Sequence, residues 1–175
     1  EYDVAALIHT LSTPEKPKLG IMSSLPLETG PNGYMAALQG GRAEPYVIYE
    51  QLKKSFDIQM LKDDVRVIPP EIGALMIAHA PGLKPATLYA IDQFAMRGGR
   101  LLVMVDPFSE VSNALGGMSG GGAQPSDLAP LLAAWGVKYN AQEVALDRAR
   151  ALSVQFGAEG ENRPVPYVAW LRLQG

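Results

Sequence analysis

Several kinds of residue and pattern are missing from this 175-residue chain. It has no cysteine, which excludes disulfides, thiolate metal sites, iron–sulfur clusters and cysteine nucleophiles. Its 15 Lys and Arg residues do not outnumber its 18 Asp and Glu residues, so a formal charge of −3 offers no basic excess for a nucleic-acid backbone. No stretch approaches the roughly 18 consecutive apolar residues of a spanning helix, and no secretion signal opens the chain. We expect no nucleic-acid partner, and membrane contact only through segments outside this chain.

Sequence signatures of catalysis are also absent or out of context. No Walker A, Gly-x-Gly-x-x-Gly or EF-hand pattern occurs, and the two histidines, His9 and His79, form no metal-ligand motif. Gly117–Gly121 matches the serine nucleophile elbow, but no strand precedes it, no helix follows it and no histidine comes later in the chain. We therefore expect no metal, no cofactor and no enzymatic activity.

Short apolar runs alternate with helical patterns from residue 18 to residue 137. Hydrophobic residues make up 47% of the chain and charged residues 19%, which favours a packed globule. Strands are predicted at Lys18–Met22, Asp57–Leu61, Ala74–Ala78 and Arg100–Val105, with helices between the first and second and between the third and fourth. Because the last of these runs carries five consecutive apolar residues, we expect it to be covered on both faces. The predicted fold class is α/β, a mostly parallel sheet flanked by helices.

The helical pattern stops after residue 137. Glu143–Leu146, Leu152–Phe156 and Tyr167–Leu173 predict further strands, which we place as an antiparallel C-terminal extension at one sheet edge. The chain is expected to form a single domain, with a leading helix and linker over residues 1–17, an α/β core over 18–137 and an edge-strand extension over 138–175. We expect it to be a fragment of a longer, membrane-anchored protein.

Two segments rich in glycine are predicted to be loops. Leu25–Arg42 is longer than most connections between secondary-structure elements, so it is a candidate lid or contact loop. Gly116–Gly122 is expected to be a flexible loop and not a phosphate cradle, because so many adjacent glycines do not hold one conformation.

Polar residues follow three of the predicted strands. Ser23 and Ser24 follow the first, His79 follows the third and Asp106 follows the fourth. Ligands of open parallel sheets gather outside the carboxyl ends of the strands, so these four residues are the candidate ligand-binding site. Asp106 also fits a purely structural role, because Asp followed by Pro107 is typical of a chain leaving a strand.

Several segments resemble one protein family. They are L-S-T-P-E-K-P-K at Leu11–Lys18, I-D-Q-F at Ile91–Phe94, R-G-G-R-L-L-V at Arg97–Val103 with Asp106-Pro107 after it, S-D-L at Ser126–Leu128, A-W-G-V at Ala134–Val137 and Y-V-A-W-L at Tyr167–Leu171. Together they resemble the GldG-like auxiliary component of uncharacterised ABC transport systems.

The resemblance implies a periplasmic domain of a bacterial inner-membrane protein, tethered by membrane helices outside this chain. It also implies an ABC permease and a separate ATPase as partners. The fold it implies is flavodoxin-like and related to the class I glutamine amidotransferase-like group, whose enzymes need a cysteine nucleophile. Because this chain has no cysteine, the resemblance leaves a non-catalytic role.

Three hypotheses about function follow. The favoured one is an accessory domain that binds a polar solute, glycan or partner protein at the carboxyl edge of the sheet, through Ser23, Ser24, His79 and Asp106. The second is an interaction module in which the strand near Tyr167–Leu173 and the glycine loop dock onto the permease or another copy of the chain. The least favoured is a serine hydrolase that uses Ser23 or Ser24 with His79.

Overall fold

Two groups of strands organise the chain in the computed structural model, which describes residues 15–38, 40–106, 109–113, 125–126, 128–140, 142–143, 146–156 and 163–172. Contacts along the chain separate two compact units, residues 1–139 and residues 140–175. Two predicted segments lie outside the described residues. One is the leading helix, because residues 1–14 are not described, and the other is the loop Gly116–Gly122. That the chain folds as a single domain stays a prediction.

The first unit is built on a parallel four-stranded sheet. Its strands are β1 (Lys18–Ser23), β2 (Asp57–Met60), β3 (Ala74–Ala78) and β4 (Arg100–Met104), in the spatial order β2-β1-β3-β4. All three neighbouring pairs run parallel. The predicted α/β class with a parallel sheet is therefore confirmed. In space β2 lies on one side of β1 and β3 lies on the other, so the strand order reverses between β1 and β3. The carboxyl ends of the strands at such a reversal are a usual place for ligands.

Helices cover both faces of this sheet. They are α1 (Gly33–Leu38), α2 (Val47–Ser55), α3 (Pro85–Met96) and α4 (Ala129–Ala134). Pro85 occupies the first turn of α3, where its fixed φ suits a helix and its missing N–H is not needed. Phe94 of α3 and Leu131 of α4 share one buried cluster with Ile77 of β3. No helix in the described part of the chain is both long and apolar enough to cross a membrane.

The opposite face of the sheet has its own buried cluster. Alternate residues of a strand point to opposite faces, so Met76 of β3 lies on the other side from Ile77. Met76 joins Ile21 of β1 and Tyr49 of α2 in the second cluster. The Tyr49 hydroxyl donates a hydrogen bond of 2.8 Å to the Glu28 carboxylate. Burial and this bond raise the pKa of Tyr49 to about 12.

The strand β4 differs from its prediction. It lies at one end of the strand order, and its burial alternates: Leu101 and Val103 are half-buried against the α3 side, while Arg100, Leu102 and Met104 are exposed. Leu102 keeps 55% of its surface exposed. The expectation that β4 is covered on both faces was wrong, because an apolar run does not tell an edge strand from a central one.

The segment Leu25–Arg42 is more ordered than a simple loop. It contains α1, and Leu27 is buried in the cluster with Tyr49. The Leu27 carbonyl accepts a hydrogen bond of 3.0 Å from the Tyr46 backbone N–H, which ties the segment to the start of α2. Its function as a lid or contact loop stays a prediction.

The second unit contains a β-hairpin. Strands β5 (Ala151–Phe156) and β6 (Arg163–Leu171) pair antiparallel, with Val154 opposite Val165. The antiparallel pairing was expected. We had also predicted that these strands extend the parallel sheet, and this was wrong, because the hairpin forms a separate two-stranded sheet. A hairpin satisfies the inner edges of its own strands locally, so the sequence pattern does not require a larger sheet. Glu143 and Leu146 are irregular, and the residues between them lie outside the described part.

Gly99 supplies the first test of this packing. A Cβ added there would overlap the ring of Phe94, which is 1% exposed. We expect Gly99→Ala to lower the free energy of unfolding by about 1–3 kcal/mol, because the ring must move within a packed core. The control is Gly73→Ala, since a Cβ on Gly73 meets no atom within 4 Å. Its effect should stay within about 0.5 kcal/mol in urea unfolding. Equal losses in the two variants would contradict this account.

Candidate functional site

The structure places all four candidate residues at the same edge of the parallel sheet. Ser23 ends β1, Ser24 follows it, His79 directly follows β3 and Asp106 comes shortly after β4. Backbone hydrogen bonds continue the pairing of the strands past their ends, since Ser24 N–H donates to the His79 carbonyl and His79 N–H donates to the Met104 carbonyl. The residues share an edge, but their side chains have different surroundings.

The hydroxyl groups of Ser23 and Ser24 both donate to β3. Ser23 Oγ donates to the Ala78 carbonyl at 2.6 Å and accepts from the Leu25 N–H at 3.1 Å. Ser24 Oγ donates to the His79 carbonyl at 2.7 Å. Because each hydroxyl has a single proton, both protons are committed within the protein. What these oxygens can offer a ligand is their remaining lone pairs.

An open cleft of about 290 Å³ lies beside these two serines. It is lined by the carboxyl ends of three strands: Met22, Ser23, Ser24, Leu61, Lys62, Asp63, Ala80, Pro81 and Leu83. Sequence reasoning missed Lys62 and Asp63. They could have been found by the argument applied to the serines, because they follow β2 just as Ser24 follows β1.

A hydrogen bond to α3 anchors the acidic side of the cleft. Thr87 is fully buried, and its hydroxyl donates to the Asp63 backbone carbonyl at 2.9 Å. This bond holds the backbone of Asp63. Asp63 is itself exposed and lines the cleft. Lys62, also exposed, contributes the opposite charge. Among the described residues, no three His, Asp or Glu side chains come together to hold a metal ion.

The imidazole of His79 lies in the interior and is not among the residues that line the cleft. His79 is 3% exposed, and its Nδ1 and Nε2 atoms share hydrogen bonds with the hydroxyls of Ser126 at 2.6 Å and Ser112 at 2.7 Å. A neutral imidazole has one donor and one acceptor nitrogen, so the two hydroxyls satisfy it completely. In this structure His79 is a buried residue that supports the site from behind.

The backbone of His79 is strained. Its φ of 45° lies in the left-handed region, which costs a residue with a Cβ about 1–2 kcal/mol. Its carbonyl accepts from both the N–H and the hydroxyl of Ser24, while its ring contacts Ser112 and Ser126. His79 therefore connects Ser24, which lines the cleft, with Ser112 and Ser126, which come after β4 in the chain.

Asp106 contributes through its backbone and its charge. Its carbonyl accepts a hydrogen bond of 2.9 Å from the N–H of Ser126, which holds the serine that contacts His79. The structural role that the Asp-Pro pattern suggested for the side chain stays a prediction, because this bond uses only the backbone. That Ser23, Ser24, His79 and Asp106 bind a ligand stays a prediction, and the cleft places only the two serines at its wall.

Three of the segments behind the family resemblance, which contain Asp92, Arg97 and Trp135, make hydrogen bonds away from the cleft. The indole N–H of Trp135 donates to the Asp92 carboxylate at 2.9 Å. The Arg97 guanidinium donates to the Ile68 carbonyl at 2.8 Å and lies 5.1 Å from the ring centre of Phe94. These bonds join α3 to the end of α4 and to the segment before β3, so these motifs contribute to the packing of the first unit.

Comparison with known families agrees with this interpretation. The family described as an ABC-type uncharacterized transport system matches residues 16–175. The chain belongs to this ABC-transport auxiliary family. The match is compatible with the GldG-like group, which stays a prediction. No curated protein and no solved structure matches the chain.

His79 predicts a loss of stability at mildly acidic pH. Burial lowers its pKa from the ordinary value of 6.5, and the charge of Asp106 offsets this in part. The unfolded state therefore binds more protons in the window between the lowered pKa and 6.5. The contribution of His79 to stability is full above 6.5 and is lost as the pH falls through the lowered pKa.

Urea unfolding at pH 7.5 and pH 5.5 measures this effect. Its control is His79→Asn, because Asn tolerates a left-handed backbone and does not titrate. We expect the variant to be less stable at pH 7.5 and less sensitive to pH. The same pH dependence in both proteins would show that another group is responsible.

Proposed function

We propose that the protein is a non-catalytic auxiliary component of an ABC transport system that binds a small polar solute or a single glycan unit. Family membership supports the auxiliary role in transport. The binding proposal is carried by one observation, the cleft of about 290 Å³ at the carboxyl ends of β1, β2 and β3. It lies where strand order reverses, the usual ligand position in open parallel sheets.

The hydrogen-bonding groups of the cleft favour a ligand rich in donors. Ser23 and Ser24 have given their protons to backbone carbonyls, so they act towards a ligand as acceptors. The Asp63 carboxylate is also an acceptor, and Lys62 is the one cationic side chain among the lining residues. Hydroxyl and amino groups match this set, whereas a phosphate or a dicarboxylate would face three acceptors.

The size of the cleft limits the ligand to about one ring. Ligand pockets usually range from about 300 to 1,000 Å³, so this cleft lies at the small end. Five lining residues are apolar: Met22, Leu61, Ala80, Pro81 and Leu83. A monosaccharide presents hydroxyls on its rim and C–H groups on its faces, which fits such a mixed wall. An amino sugar or a polar amino acid fits the same description.

The hydrogen bonds argue against a hydrolase built from Ser23 or Ser24 with His79. Nucleophilic serine needs its hydroxyl within hydrogen-bond reach of a base. Both hydroxyls instead donate to backbone carbonyls, and both nitrogens of His79 are taken by Ser112 and Ser126. A binding role is therefore better supported than catalysis at this edge.

The partners and location we propose follow from the family. An auxiliary component associates with transporter subunits, and we propose the permease and the ATPase as those subunits. We further propose a periplasmic location at the inner membrane, through membrane segments outside this chain. In that arrangement the cleft would bind solutes on the periplasmic side of the membrane, and the bound state would be transmitted to the transporter subunits.

A thermal-shift screen tests the binding proposal. Monosaccharides, amino sugars, amino acids and peptidoglycan fragments are compared with phosphate and succinate. A ligand at 100 times its Kd stabilises the folded state by about 2.7 kcal/mol, so we expect a rise of several degrees in Tm from donor-rich compounds. Asp63→Asn should lower the affinity at least tenfold, because it removes the charge and keeps the carbonyl that Thr87 holds.

Two serine variants, one at the cleft and one away from it as the control, complete the test. Ser24→Ala removes a lining oxygen, and Ser55→Ala removes a hydroxyl at the end of α2, next to the start of β2 and so at the opposite edge of the sheet. We expect weaker binding in the first and unchanged binding in the second. No shift with any donor-rich compound, or equal shifts in Asp63→Asn and Ser55→Ala, would exclude this cleft as the site.

A further inference from the structure

The hairpin of the second unit has one apolar face. Leu152 pairs with Tyr167 and Val154 pairs with Val165, so these four side chains point to the same side. The residues between them point to the other side: Ser153, Gln155, Pro164 and Pro166. The hairpin therefore separates its apolar from its polar side chains, although it has only two strands.

The apolar face is substantially exposed. Val165 is 41% exposed, Tyr167 37% and Trp170 52%. The rings of Tyr167 and Trp170 meet edge to face with their centres 5.2 Å apart. A shift in register beside Leu152 makes this contact possible, because it places residues 168–170 outside the regular pairing. A two-stranded hairpin is marginally stable alone, so this face is suited to contact with a further surface.

The outer edge of β6 is unsuited to pairing with another strand. Pro164 and Pro166 carry no N–H, and a proline facing β5 would break the ladder that joins the two strands. Both prolines therefore present their missing donors to the outside. This disfavours the strand-to-strand docking through Tyr167–Leu173 that the sequence suggested. A partner would instead meet the face formed by Val165, Tyr167 and Trp170.

Exposed arginines lie at the same end of the hairpin as Trp170. The N–H of Arg172 donates to the Arg150 carbonyl at 2.7 Å, which fixes the two arginines next to each other, and Arg148 is close in sequence. Asp147 offsets Arg150 through an ion pair of 3.9 Å. Among the described residues, Arg163 lies at the other end of the hairpin, where it pairs with Phe156. Three of the four described arginines of this unit are therefore at or near the open end.

We propose that this hairpin face rests on an anionic lipid surface, which departs from our expectation that the membrane is contacted only through segments outside this chain. Trp and Tyr have an apolar body and a polar tip, which suits the boundary between headgroups and acyl chains. Arg148 and Arg172 would bind headgroup phosphates, for which the guanidinium fork has the right geometry. Exposed aromatic rings and cationic side chains at one end match the order of groups across such a boundary. The inference is independent of the cleft, which belongs to the other unit.

Vesicle binding by the full chain tests the proposal. The chain has two tryptophans, and Trp135 is hydrogen-bonded to Asp92, so Trp135→Phe leaves Trp170 as the only reporter. With vesicles of phosphatidylglycerol and phosphatidylcholine, we expect Trp170 emission to shift to shorter wavelength. Vesicles of phosphatidylcholine alone should give at least tenfold weaker binding. Co-sedimentation of the unmodified chain repeats the measurement if Trp135→Phe proves unstable.

Matched substitutions separate this surface from general adhesion. Trp170→Ser and Arg172→Glu should each lower vesicle binding at least fivefold. Val47→Ser removes an apolar side chain of α2 that is more exposed than Trp170, and Lys54→Glu reverses a charge on the same helix, so these two controls should bind as the unmodified chain does. Absence of binding to anionic vesicles would overturn the proposal and favour docking on a protein subunit. Equal losses from Arg172→Glu and Lys54→Glu would overturn it in favour of non-specific attraction.

Discussion

The pairing of β1 with β3 is the constraint on which the candidate site depends. Leu19 to Ser23 run parallel to Ala74 to Ala78, and the serines extend this contact beyond the strands by donating to the carbonyls of Ala78 and His79. The two central strands are thereby joined at their carboxyl ends by side chains as well as backbone. The strand that follows β1 in the chain lies on one side of this pair, and the strand that follows β3 lies on the other. The cleft lies at the carboxyl ends of β1, β2 and β3.

His79 connects this junction to the rest of the edge. Its carbonyl accepts a hydrogen bond from Ser24, and its ring nitrogens are hydrogen-bonded to Ser112 and Ser126. A single strained residue therefore links the cleft to the segments after β4. Its ring is buried and hydrogen-bonded within the protein, so in this structure it supports the neighbouring segments, and its part in ligand binding stays a prediction. Its burial also makes the stability of this edge sensitive to mildly acidic pH, because a charged imidazole would be poorly solvated there.

The two units offer surfaces of different chemistry. The cleft presents acceptors and one pair of opposite charges in a small volume, which suits recognition of a solute. The hairpin presents aromatic rings and arginines on a broad face, which suits an extended surface. The chain belongs to an ABC-transport auxiliary family, and the proposals of solute binding at the cleft and of lipid contact at the hairpin are both compatible with that role.

The sequence by itself determined the α/β class, the strands of the sheet and the edge at which the polar residues gather. These follow from apolar periodicity and from the rule that parallel strands end on one side, both of which are local or topological properties. The motifs with Asp92, Arg97 and Trp135 indicated the family, and in the structure they bond α3 to the end of α4 and to the segment before β3.

Only the tertiary structure decided which polar residues line the cleft. Lys62 and Asp63 line the cleft and His79 does not, because the order β2-β1-β3-β4 sets which strand ends are neighbours. The same order made β4 an edge strand in spite of its apolar run. Side-chain burial and strand neighbours depend on contacts between residues far apart in the chain, and local sequence patterns do not record them.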